Sequence, residues 1–239
     1  MKKTILTVLF CCLVGSIYGQ SRLYLQQRTQ EFVQHAERYS SSDSYYLPDE
    51  YIGSPYSNET FLAGTIYENN QVISSDYLLR YNAIEDEIEA KENIDTPDTE
   101  ILVLTKSPEI FVKIVKDLFV YNASDSNPEY NGYFQVVVVG NNYNLYKKHH
   151  KKYYPAKKAK NSFEKDVLAT YKDKPLYYIV NGEGVFYTIP DSKNKRIKIF
   201  GNKSAQINKF VKHSKLDITK ESDFIKAFKY FDSFSDTNL

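Results

Sequence analysis

The densest run of chemistry-bearing side chains is Lys147-Lys148-His149-His150-Lys151-Lys152, followed by Lys157, Lys158 and Lys160. Tyr153 and Tyr154 sit inside it. Lysines clustered beside aromatic rings can hold nucleic acid, anionic lipid or acidic glycan. The competing reading is a lysine-rich strand end and loop, kept soluble and protected from edge pairing. A chain that carries no net basic charge once a leader at 1–19 is removed favours this second reading. His149 and His150 could ligate a metal, but neighbours on a strand point to opposite faces. Only His35 and His213 exist besides, so no metal site is assigned.

The acidic counterpart holds Glu85, Asp86, Glu87, Glu89, Glu92, Asp95, Asp98 and Glu100, with Lys91 its single base. It lacks the glycine and ligand alternation of a calcium loop. Two of its carboxylates, such as Glu87 and Glu89, could serve a glycosidase-type hydrolase; a solvated strand face is the plainer account. Ser162-Phe163-Glu164-Lys165 matches the bare Ser-x-x-Lys pattern without its Lys-Thr-Gly or Ser-Asp-Asn companions. Nucleophile elbow, zinc-protease helix and phosphate loop are all missing from the sequence. No catalytic residue and no cofactor are therefore assigned.

These groups must be positioned by mostly β structure. Phe61–Tyr67 and Val72–Tyr81 read as strands around an Asn69-Asn70 turn, and 84–91 alternates as a half-exposed strand with its glutamates outward. Ile101–Thr105, Tyr133–Val139, Tyr143–Lys148, Val167–Tyr171, Leu176–Val180 and Gly184–Ile189 follow. Residues 107–121 fit either a helix begun at Ser107-Pro108-Glu109 or two strands turning at Lys116-Asp117; valine and isoleucine decide for strands. Arg22–Tyr39 carries Leu25, Phe32, Val33 and Ala36 at helical spacing, and 40–44 is a serine-rich linker. Ser204 and Thr219 are placed to cap two C-terminal helices, the second carrying Phe224, Ile225, Phe228 and Phe231.

The chain has 239 residues, 42% of them hydrophobic and 26% charged, which excludes collagen-like, disulfide-scaffold and wholly disordered classes. Lys and Arg number 31 against 30 Asp and Glu, which argues against a general polyanion binder and against nucleic acid. Met1-Lys2-Lys3, the apolar run Ile5–Val14 and small residues to Gly19 have the layout of a secretory leader cut before Gln20. Leu9-Phe10-Cys11-Cys12 does not suit lipid attachment. Cleavage would remove both cysteines and the single methionine, leaving 29 basic groups and a sulfur-free mature chain. Thiol nucleophiles and cysteine-ligated metals are then excluded. Twenty-two tyrosines and no tryptophan shift the aromatic surface to a ring with a polar tip.

Gly53-Ser54-Pro55-Tyr56, Gly64-Thr65-Ile66-Tyr67, Leu78-Leu79-Arg80-Tyr81-Asn82 and Asp86-Glu87-Ile88-Glu89 resemble motifs of an uncharacterised family of exported proteins common in Bacteroidetes. Gly132-Tyr133-Phe134 and Tyr146-Lys147-Lys148 fit as well. The resemblance implies a β-rich periplasmic or outer-surface protein and no assigned activity.

The expected fold is α+β: an antiparallel curved sheet or open barrel with an N-terminal helix and two C-terminal helices. The expected divisions are a leader at 1–19, helix and linker at 20–44, a β-rich domain at 45–203 and a helical pair at 204–239. The expected function is an exported non-enzymatic binding module. A carboxylate hydrolase of envelope glycan or peptide and a purely structural envelope component are the alternatives. The candidate binding residues are Tyr56, Arg80, Tyr81, Asn82, Lys147 and Lys148. The expected partner is an envelope protein, peptide or glycan, with peripheral contact to an anionic surface through the basic tract and no transmembrane span.

Overall fold

A computed structural model describes residues 36–38, 50–161, 163–234 and 239. The leader, the linker and most of the expected N-terminal helix lie outside these residues. Ala36–Arg38, at that helix's end, form a strand.

The described residues form fifteen strands: β1 (Ala36–Arg38), β2 (Tyr51–Ile52), β3 (Leu62–Glu68), β4 (Gln71–Ser74), β5 (Leu78–Asn82), β6 (Glu87–Lys91), β7 (Leu102–Leu104), β8 (Ile110–Ile114), β9 (Asp117–Asn122), β10 (Gly132–Val139), β11 (Tyr143–Lys148), β12 (Lys151–Tyr154), β13 (Ala169–Asp173), β14 (Leu176–Asn181) and β15 (Phe186–Ile189). Helices α1 (Lys193–Lys198), α2 (Ser204–His213) and α3 (Glu221–Asp232) follow. The class is β-rich α+β.

Twelve strands form one antiparallel sheet in the order β1-β7-β6-β5-β3-β8-β9-β10-β11-β14-β15, with β4 pairing β3. A separate three-stranded sheet runs β12-β13-β2, its β13–β2 pair parallel. Asn69 and Asn70 both adopt positive φ, as the tight β3–β4 hairpin requires. Residues 107–121 are indeed two strands, but they turn at Val115-Lys116, one residue earlier than expected, with Val115 at φ 55°.

Three expectations are corrected. The run Val72–Tyr81 is split between β4 and β5, because Ser74 Oγ accepts from Asp76 N (3.3 Å) and bends the chain. Residues 83–86 are a turn, so β6 starts only at Glu87, and Glu89 and Lys91 are buried, not outward. Neither Ser204 nor Thr219 caps its helix. The Ser204 hydroxyl donates to Gly201 O (2.8 Å) and the Thr219 hydroxyl to Asp217 Oδ1 (2.8 Å). The short helix α1 had no sequence expectation.

Strand alternation divides the core. Tyr133 joins Ile66, Leu79, Tyr81, Ile88, Val112 and Phe119 on one face, while its neighbour Phe134 joins Tyr178 and Val180 in another cluster. A third cluster packs Leu145, Ile179 and Ile189 of the sheet against Phe200, Ile207, Phe224, Phe228 and Phe231. Each buried phenylalanine stabilises the helical layer by roughly 1.5–3 kcal/mol.

A carboxylate fixes that layer. Asp232, the last residue of α3, is 5% exposed and accepts from Asn141 N (2.5 Å), Asn142 N (2.9 Å) and Tyr143 N (3.0 Å) in the β10–β11 turn. A negative charge at a helix C-terminus opposes the macrodipole, so the three turn amides supply the compensation. Asp232→Ala should lower stability by about 3 kcal/mol, read as a reduced urea midpoint at unchanged slope. A loss below a few tenths would sink this account of the turn.

Candidate functional site

Two of the six candidate binding residues, Arg80 and Asn82, meet at one carboxylate, and a third, Tyr56, stacks on Arg80. Glu89, on β6 opposite Arg80 of β5, accepts at Oε2 from Arg80 Nη2 (2.6 Å) and Nε (2.9 Å). Its Oε1 accepts from Asn82 Nδ2 (3.0 Å). The guanidinium lies 3.5 Å from the Tyr56 ring centroid and 4.2 Å from that of Phe61. Side-chain exposure is 13% for Arg80 and 3% for Glu89. Both oxygens of Glu89 are thus engaged and its charge is paired in a largely dry setting. Glu87 instead faces Lys106 at 3.6 Å, and burial raises its pKa against the pull of that lysine.

Tyr81 points elsewhere. Its hydroxyl donates to Asp86 Oδ1 (2.6 Å), which also accepts from Tyr133 N (3.0 Å). Burial, reinforced by the Asp86 charge, pushes the Tyr81 phenol far up and keeps it a donor. Around it stand Phe119, Tyr133 and His149, with ring centroids 5.2, 6.1 and 5.8 Å away. The Tyr133 hydroxyl is buried and has no hydrogen-bond partner among the described residues.

The basic tract proves to be two unlike halves. Lys147 pairs with Glu221 of α3 (2.7 Å), which also accepts from Tyr177 OH (2.5 Å). Lys148 donates to the carbonyl of Asn131, and burial holds its pKa down against the pull of Asp86 and Glu129. His149 contacts Gln135 Oε1 through Nε2 (2.7 Å); a neutral ring donates there. These side chains are internal fastenings.

The second half projects. β12 and β13 form a hairpin between β11 and β14, attached through Lys174 N to His150 O (2.8 Å). From Lys151 to Lys174 it carries eight lysines against three carboxylates. One face is closed by Tyr153, Tyr171 and Tyr51, with centroids 5.0 and 5.4 Å from Tyr171, and by the Lys151–Asp173 pair at 2.6 Å. The other face is open. There Lys152 sits directly opposite Lys172, and their ammonium groups lie 5.1 and 5.3 Å from the Tyr154 ring centroid. Like charges directly opposed on a strand pair are unfavourable, and no carboxylate lies within ion-pair distance of either among the described residues. Periodicity did not reveal this; the lysines at 152 and 172 become partners only through the register.

A half-open cleft of about 600 Å³ lies between α1 and α2, where Lys193, Lys212 and Lys215 share the lining with Asn194, Asn208 and Asp217 over Ile197. Both features hold exposed ammonium groups. Among the described residues no cluster of three metal-ligating side chains occurs, and no helix is long and apolar enough to cross a membrane.

No family model, curated protein or solved structure matches this chain.

Two stability predictions follow from the internal groups. Arg80→Met strands a buried Glu89 charge and should cost about 3–5 kcal/mol, while Arg80→Met with Glu89→Met should recover much of it. Equal losses in the single and double variants, by chemical denaturation, would contradict the pairing. His149 titrates near pH 4 in the fold, lowered first by burial and then by Lys147 and Lys151, against an ordinary 6.5. Glu221 and Asp173 oppose that shift. The unfolded chain therefore binds the extra proton first, and stability falls as pH drops from about 6.5 towards 4, by up to about 3 kcal/mol. In His149→Gln the wild-type excess loss across that window should vanish.

Proposed function

We propose that the protein is an exported, non-enzymatic binding module of the bacterial envelope, whose β12–β13 hairpin docks on an anionic surface. The observation that carries this is the Lys152–Lys172 pair across Tyr154, two cations held face to face with no carboxylate paired to either among the described residues. An incoming anion relieves their repulsion, and the half-exposed Tyr154 ring offers it an apolar flank. The large sheet, read as curved, supports the hairpin at its base. Arg80 and Asn82 hold Glu89, Tyr56 stacks on Arg80, and Tyr81 holds Asp86, so their part in binding is to support the frame.

Export is supported by the leader-like layout of residues 1–19 and by the resemblance to exported Bacteroidetes proteins. The hydrolase alternative requires Glu87 and Glu89 to act together, and Glu89 is committed to Arg80 and Asn82.

The test is fractionation of cells making the full chain, with dextran sulfate binding of the purified protein as the probe. Wild type should reach the envelope and bind dextran sulfate in a salt-dependent way. Lys152→Glu with Lys172→Glu should export normally and lose roughly tenfold or more in affinity. Unchanged affinity would overturn the docking face; unchanged export after charging Ile5–Leu9 would overturn the leader.

A further inference from the structure

The outer end of the hairpin differs from its lysine face in one respect. Phe163 is 99% exposed, with Val167 at 56% and Leu168 at 38%, while Lys157, Lys158, Lys160 and Lys165 surround them in sequence. A wholly exposed phenylalanine at the end of a projecting hairpin has no packing role.

The segment nevertheless has a defined shape. Lys157 and Val167 exchange two backbone hydrogen bonds of 2.8 Å each. Asp166 accepts from Ala159 N (2.8 Å) and Lys158 Nζ (2.9 Å). Glu164 accepts from Lys160 N (3.1 Å) and Asn161 Nδ2 (3.2 Å), and Asn161 Oδ1 accepts from Phe163 N (3.0 Å). Both carboxylates of the tip are thus turned onto its own backbone and a neighbouring lysine. Lys157, Lys160 and Lys165 have no ion pair among the described residues.

We infer that this tip docks the protein on an anionic phospholipid bilayer, with Phe163 entering the headgroup–acyl boundary and the lysines meeting lipid phosphates. The inference rests on the anion-docking reading above and names the surface. A soluble polyanion would engage the lysines but leave Phe163 in water; only a bilayer offers an apolar phase directly beneath a layer of negative charge. Tyr153 and Tyr154, 38% and 40% exposed at the outer end of β12, suit the interfacial depth where amphipathic rings settle. Neither signal suffices alone, since one shallow apolar group gives only marginal binding and the basic residues complete it. A second copy of the chain is disfavoured as occupant, because two such cationic tips repel.

The absence of tryptophan supplies a clean probe. In Phe163→Trp, the single indole should shift its emission to the blue on adding phosphatidylglycerol–phosphatidylcholine vesicles and stay unshifted with phosphatidylcholine alone. By co-sedimentation, Phe163→Ser should lose vesicle binding roughly tenfold or more while keeping wild-type dextran sulfate affinity and thermal melting. Lys157→Glu with Lys165→Glu should weaken vesicle binding as well. An unshifted indole, or Phe163→Ser sedimenting like wild type, overturns the lipid inference and leaves anion docking standing. Dextran sulfate binding without vesicle binding does the same, identifying a polymer surface instead. Failure of wild type to bind either probe overturns both.

Discussion

The Asp86 carboxylate holds together strands that the sheet order keeps apart. Four pairings separate β5 from β10, which in a flat sheet would place them roughly 19 Å from each other. Yet Asp86, in the turn after β5, accepts from the Tyr81 hydroxyl and from the amide of Tyr133 on β10. A partly buried charge tolerates such a position only when donors surround it. The chain adapts on both sides. Asp86 itself takes φ 55°, and Gly132 takes φ 114° where a Cβ would overlap the Asp86 Oδ2 atom. Beyond β10 the chain runs through β11 directly into the projecting hairpin, so the hairpin's base inherits its position from this contact.

Near-neutral total charge conceals how the charges are distributed. Glu89, Asp232 and Glu221 are each spent on internal fastenings, to Arg80, to the β10–β11 turn and to Lys147. Asp86 is spent on tyrosine and backbone. Such carboxylates contribute little to the outer field, whereas the hairpin lysines from Lys152 to Lys174 stand in solvent. A composition with one cation per anion can therefore still carry a strongly cationic projection. Net charge therefore describes the molecule as a whole and not the field around this one hairpin.

Legibility in the sequence followed the range of the interaction. The Asn69-Asn70 turn, the strands of 107–121 and the phenylalanine spacing of α3 depend on neighbours and were read correctly. The burial of Glu89 was not, because alternation placed it outward and its partner Arg80 lies on another strand. The basic tract was recognised as a feature but not divided. Its first half turns inward because Glu221 and Gln135 come from other elements, 74 and 14 residues away. Its second half stays outward, and its like-charge pair exists only through the β12–β13 register. Asp232 broke a helix rule that a sequence reading can apply, and that violation was the available signal for a tertiary role.

The hairpin is built to differ in firmness along its length. Near the sheet it has the Lys151–Asp173 pair, the Tyr153–Tyr171 contact and the parallel pairing of β13 with β2. At Gly53 the φ of 82° lets β2 approach the Tyr171 carbonyl where a side chain would collide. Further out, no residue from 155 to 161 or from 163 to 168 is buried, and shape depends on exposed hydrogen bonds between near neighbours. Exposed bonds compete with water and define the low-stability end of a fold. A tip held by such bonds can change shape without disturbing the core. The frame that holds Glu89 and Asp86 can then remain rigid while only the outer residues adjust.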